Sequence, residues 1–154
     1  HWSTNEKKGF NFYAHLGELI KTEKITDIEF TYIGRYNTDF PTSGIKLIKP
    51  KSSQELSSLL PQYDLYLTAS IEEAGANHVL EAMAAGLPVI YRANGGSIEE
   101  YCKDFGIQYT DQDSMIKAIR IFQNNFKKYY YNISHYKAVL NNVIKEYEKI
   151  ICLV

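Results

Sequence analysis

Apolar positions along this chain switch repeatedly between a helical and a strand period. In FNFYAHLGELI, Phe10, Tyr13, Leu16 and Ile20 recur at three- and four-residue intervals, the spacing of one helical face. IEFTYIG follows as a β-branched and aromatic strand ending at Gly34, and a further strand is expected to end just before Thr4. The polar RYNTDFPTSG reads as a loop and IKLI as a short strand. Ser52 with Glu55 has the spacing of a capping box, opening a helix that runs through Leu60 and stops at Pro61. DLYLTAS is the next strand, NHVLEAMAA a run of good helix formers, and PVIYR another strand. Ser97 with Glu100 repeats the capping spacing, and IQYT is short and edge-like. This alternation predicts an α/β fold, a parallel sheet with helices on both faces and ligands outside the carboxyl ends of the strands. From Asp113 the pattern is helical to the end, first SMIKAIRIFQ and then a longer segment in which Tyr136, Leu140, Val143, Tyr147 and Ile150 form an apolar stripe, whose plain role is packing.

Composition narrows the class. At 154 residues and 45% hydrophobic content the chain is expected to be a single domain, 1–154, with one sizeable core. A formal net charge of -1 argues against bulk attraction to nucleic acid, and no apolar run approaches the roughly 20 residues that span a bilayer. Cys102 and Cys152 lack metal-ligand spacing and read as reduced thiols of a cytoplasmic protein. The four histidines do not cluster, and no phosphate loop, nucleophile elbow or metalloprotease helix is present.

The chemistry concentrates between Glu73 and Gly96, in EAGANHVLEAMAAGLPVIYRANGG. Seven residues separate Glu73, in a strand-to-helix turn, from Glu81, on the helix. A carboxylate accepts paired hydrogen bonds from vicinal hydroxyls, while the backbone N–H groups of a helix start attract phosphate. One turn therefore offers places for a sugar, a ribose and a diphosphate. Plainer readings exist for each part: Glu73 stabilises a helix start, Glu81 is an ordinary helical acid, and Asn94-Gly95-Gly96 is a tight turn.

These segments resemble the donor-binding signature of retaining family-4 glycosyltransferases of the GT-B fold. EAGA stands for the Glu-Pro-Phe-Gly-like turn, LEAMAAGLPV for the Leu-Glu-Ala helix and its Gly-Leu-Pro-Val exit, and GGSIE for the Gly-Gly-x-x-Glu turn. The likeness runs from about Trp2 to the C terminus and implies a Rossmann-like half of a GT-B fold, ending in a long helical segment. It further implies a C-terminal donor-binding domain whose acceptor-binding N-terminal domain is absent from this chain. By the same resemblance, Glu73 contacts the donor sugar and Lys8 presents an ammonium to the diphosphate, the two catalytic assignments. Donor-binding assignments fall on Ser3, Gly9, Gly34, Arg35, Pro50, Ala74, Gly75, Ala76, Asn77, His78, Glu81, Gly95 and Gly96. Glu81 matches the ribose-binding acid, Pro50 and Tyr36 stand where a base would pack, and Glu99 is expected to fix local geometry. Glu72 reads as a solvated neighbour.

The chain departs from the family pattern in four places. Ser3 replaces an arginine, a loss Arg35 is placed to offset, and Ala74, Gly75 and Ala76 replace the usual proline, aromatic residue and glycine. The resemblance implies a UDP- or GDP-sugar donor, no cofactor and no metal. It implies an acceptor glycan, lipid or protein reached through the missing domain, and a cytoplasmic enzyme with room for peripheral association at the inner membrane face. A nucleotide-sugar epimerase of the same fold and a non-catalytic nucleotide-sugar-binding module remain as alternatives.

Overall fold

In the computed structural model, which describes residues 4–137, strands and helices alternate as the pattern predicts. Helix α1 spans Phe10–Lys21, strand β1 Thr31–Ile33, β2 Lys46–Ile48 and helix α2 Ser53–Leu59. Strand β3 follows at Tyr66–Thr68, then α3 at Asn77–Ala84, β4 at Val89–Arg92, α4 at Ser97–Cys102, β5 at Gly106–Tyr109 and α5 at Gln112–Ile133. Ser3, the strand expected before Thr4, and the stripe residues Leu140, Val143, Tyr147 and Ile150 lie outside the described residues.

Every strand pairing is parallel, but the ladder comes in two parts. β1 pairs with β2, and β3-β4-β5 form a second sheet with β5 at its edge. Both faces of the larger sheet are covered. Ile90 joins the core built with Phe12, Tyr13 and Leu16 of α1 and Met115, Ala118 and Phe122 of α5. Its neighbours Val89 and Tyr91 join the opposite cluster with Val79 and Met83 of α3 and Ile98 and Cys102 of α4. Successive residues of β4 thus serve two separate apolar layers, which is why the strand is continuously apolar rather than alternating.

Two local expectations hold and two change. Ser52 and Glu55 form the full capping box at α2, with Glu55 N–H donating to Ser52 Oγ at 3.3 Å and Ser52 N–H to Glu55 Oε2 at 2.9 Å. Pro61 does end the α-helix, through a 3-10 turn at Leu60–Gln62. At α4, however, Gly96 is the N-cap, and Ser97 is the first helical residue. The Ser97 hydroxyl instead accepts from Ala76 N–H at 3.2 Å, and Glu99 rather than Glu100 reaches back, accepting from Asn94 N–H. Of the expected C-terminal helices the first is described as α5, and most of the second lies outside the described residues. α5 starts one residue earlier than expected, on an Asp111–Ser114 capping box, and runs through a kink at Asn125, whose side chain donates to Ile121 O at 2.9 Å. Beyond its end, Tyr136 packs on Phe105 with ring centroids 5.3 Å apart.

Candidate functional site

A cavity of about 420 Å³ lies between the two sheets, along β1 and β3 and beyond the end of β2. One wall comes from β1 and its end, through Thr31 to Gly34, with Pro50 and Lys51 after β2 and Leu56, Leu60 and Tyr63 from the α2 region. The other wall is Leu65, Tyr66 and Leu67 of the β3 region. Lys8, Glu29, Glu73, Asn77, His78 and Glu81, with Lys51, supply most of its polar part.

Backbone geometry brings these polar groups together from distant parts of the chain. Gly9 has φ 70, and a Cβ there would lie 2.4 Å from Ala69 O, so only glycine lets the start of α1 approach the end of β3 this closely. The neighbouring strands of loop are stitched by main-chain hydrogen bonds. Ile71 N–H donates to Lys7 O at 2.9 Å, Glu72 N–H to Asn94 O at 2.8 Å, and Glu73 N–H to Gly95 O at 3.2 Å. Ser97 N–H returns a bond to Glu73 O at 2.9 Å. Gly96, at φ 68, would place a Cβ 2.5 Å from Glu73 O. The glycine turn therefore braces the Glu73 backbone from behind and is not part of the cavity wall.

At the centre Lys8 Nζ donates to Glu73 Oε1, and both side chains are mostly shielded, at 15% and 19% exposure. His78 Nε2 stands 3.9 Å from the same carboxylate oxygen, and His78 Nδ1 is 3.1 Å from the Tyr66 hydroxyl. The His78 imidazole and then the Lys8 ammonium, acting against desolvation, hold the Glu73 carboxyl down to about 2. Burial pushes the Tyr66 hydroxyl well above the ordinary tyrosine range, so it stays a neutral phenol. Ala76 is the N-cap of α3 and supplies no side-chain cap, and the first helical N–H, from Asn77, donates to Gly75 O at 3.0 Å.

Of the other residues singled out in the sequence, Gly34 and Pro50 line the cavity, and Glu81 does so as an exposed side chain at its rim. Arg35 is exposed and outside the wall, its carbonyl accepting from the Tyr32 hydroxyl at 2.6 Å. Ala74 is exposed, and Ala76 is fully buried behind the turn. Glu72 is solvated as expected, paired with Lys7 at 2.5 Å on the surface. Tyr13, Tyr63, Tyr66 and Lys51 also line the cavity and had no sequence signal of their own. On strands and helices buried from both sides, apolar spacing does not say which side chains border an opening.

A sequence model of the group 1 glycosyl transferases matches residues 2–125. The chain belongs to this family. Among solved structures it is similar to WaaG, a glycosyltransferase involved in lipopolysaccharide biosynthesis, at 19% identity and a TM-score of 0.65. That likeness covers 86% of this chain and 39% of the WaaG chain, so this group 1 glycosyl transferase chain spans well under half of the solved relative. No curated protein matches significantly. The described fold is the Rossmann-like parallel arrangement of a GT-B glycosyltransferase, with helices flanking the sheets and the long α5 near its end. Among the described residues, no helix is long and apolar enough to cross a membrane.

Proposed function

We infer that this chain is the donor-binding domain of a retaining glycosyltransferase that moves a hexose from a UDP- or GDP-sugar. The observation that carries this reading is that Lys8, Glu73 and Glu81, among the charged side chains of one cavity, meet beside a helix start without a side-chain cap. Cation and helix terminus suit a diphosphate, and carboxylates suit hydroxyls. Glu81, at the rim, takes the ribose; Glu73, deeper and beside Lys8, takes the sugar near the bond that breaks. Lys8 then faces the leaving diphosphate, where negative charge grows as the glycosidic bond lengthens.

Chemistry at this site is electrostatic and positional. The diphosphate leaves on the face that the acceptor hydroxyl approaches, which retains the anomeric configuration without a covalent enzyme intermediate. Ser3 and Arg35 supply further phosphate contacts in this reading, and Pro50 packs against the base. The donor site requires no metal, because Lys8 and the α3 terminus take that role. The acceptor, a glycan, lipid or protein, binds through a second domain, and the whole enzyme works in the cytoplasm, at the inner membrane face when its acceptor is there.

Calorimetry with UDP, GDP and their hexose conjugates, alongside a transfer assay, tests this reading. The expected outcome is binding of one nucleotide series with little sugar transfer by this chain alone. Absence of binding to all of them rejects the donor-domain assignment, and robust turnover by the chain alone shows that the acceptor site is also within it. Conversion of the sugar conjugate to an epimer without acceptor would favour the epimerase instead.

A further inference from the structure

The two side chains assigned to opposite ends of the donor are bonded to each other in this structure. Lys8 Nζ donates to Glu73 Oε1, so the ammonium that would meet a diphosphate already has an anionic acceptor. The backbone of each is hydrogen-bonded where it stands. Glu73 is held through its own N–H and C=O by Gly95 and Ser97, and Lys8 N–H bonds Asn5 O at 3.0 Å. Parting the pair is a matter of side-chain rotation alone.

A bare diphosphate entering here takes Lys8 as its partner and leaves Glu73 shielded from water beside a second anion. Like charges at short range and low exposure oppose that state. His78, with Nε2 at 3.9 Å, stays beside the carboxylate, but Lys8 is the group that donates to it directly. A ligand that carries hydroxyls next to its diphosphate avoids the problem, because those hydroxyls donate to Glu73 as Lys8 turns to the phosphate. We propose that the Lys8–Glu73 pair masks the anion site and makes Glu73 a specificity-determining residue, selecting hydroxyl-bearing diphosphate esters over free diphosphate. The ligand class rests on the donor-binding reading above; the masking rests on the ion pair itself.

The structure contains its own control. Lys7 and Glu72, each one residue earlier, form a parallel pair at 2.5 Å that is 56% and 61% exposed. Water screens that outer pair, and its loss should leave anion binding unchanged.

Inorganic pyrophosphate is the probe, titrated calorimetrically into the parent chain and its variants. Glu73→Gln should bind pyrophosphate roughly three- to tenfold more tightly, the scale of releasing a partly shielded cation from its partner. Glu72→Gln should not change it, and Lys8→Met in the Glu73→Gln background should abolish the gain. Loss of the negative charge alone would tighten binding in the Lys8→Met background as well, whereas unmasking requires Lys8. Equal or weaker pyrophosphate binding by Glu73→Gln, or none by any form, overturns the proposal. If Glu73→Gln does not fold, carboxyl NMR of the parent decides: pyrophosphate should raise the Glu73 titration midpoint, and an unmoved midpoint overturns the mask. Tighter pyrophosphate binding without any affinity for UDP- or GDP-hexoses would retain the mask and reject the donor reading. The reverse pattern would do the opposite.

Discussion

Helices α2 and α3 both border the cavity, and a carboxyl near the start of each is held down to about 2, yet the two are held by different kinds of partner. Glu55 belongs to α2 and is fixed by its immediate surroundings, by Lys51 one turn earlier at 2.7 Å and by Ser52 of its own capping box. Glu73 precedes α3 and is held by His78, five residues on in that helix, and by Lys8, from the 3-10 turn before α1. α2 closes its N terminus with its own side chains; α3 has none in that position. The same charge state is therefore reached once by purely local closure and once by a local histidine together with a lysine from a distant segment.

The sharpest way to break the comparison is from behind the Glu73 turn. Gly96→Ala forces a Cβ toward Glu73 O at a left-handed φ, and should cost about 3 kcal/mol of stability in denaturant unfolding. A change near zero would mean the glycine turn does not brace Glu73. Next in size is Glu81→Gln, which removes a charged acceptor from the cavity rim and should weaken nucleoside diphosphate and sugar nucleotide alike by about 2 kcal/mol in calorimetry. Loss for only one ligand would move the ribose elsewhere.

Ser52→Ala opens the closed helix and should lower stability by about 1 kcal/mol while leaving nucleotide affinity intact. An affinity loss would show that α2 also takes part in binding. Smaller still is Gly75→Ala. No atom lies within 4 Å of the added Cβ and φ there is not left-handed, so thermal unfolding should show a gain of about 0.5 kcal/mol from the restricted unfolded chain. Destabilisation would mean the open space is needed by the fold.

Acid titration separates the carboxylates themselves. Both sit below their ordinary 4.5, so the stability each contributes is complete above that pH and is lost as pH falls toward about 2. By NMR, Lys8→Met should raise the Glu73 midpoint alone, and Lys51→Met the Glu55 midpoint alone. A common shift would mean the two sites are electrostatically joined through the cavity.

Much of this arrangement was legible in the residues. The capping pair Ser52 and Glu55, the strand order and the placing of Glu73 and Glu81 all follow from local chemistry, where neighbours in sequence decide the outcome. What could not be read depends on contacts between remote segments. Ser97 has the right spacing for a cap, but Ala76, 21 residues away, competes for its hydroxyl. Asn94 takes a left-handed φ beside Gly96, a share of the turn that the glycine pair alone did not suggest. The surroundings of Glu81 looked apolar in sequence, yet the helix turns it outward at the cavity rim. Lys8 and Glu73 carry no mutual signal across 65 intervening steps of chain.

The main-chain stitching of Lys7, Asn94, Gly95 and Ser97 to residues 71–73 uses only atoms that almost every amino acid possesses. Side chains along these loops can therefore be exchanged without removing the bonds that fix the Glu73 backbone. Ala74 and Gly75 take no part in that stitching. That makes the turn a favourable place to vary in the laboratory: a library at positions 74 and 75 samples new ligand contours on a frame that those residues do not hold up.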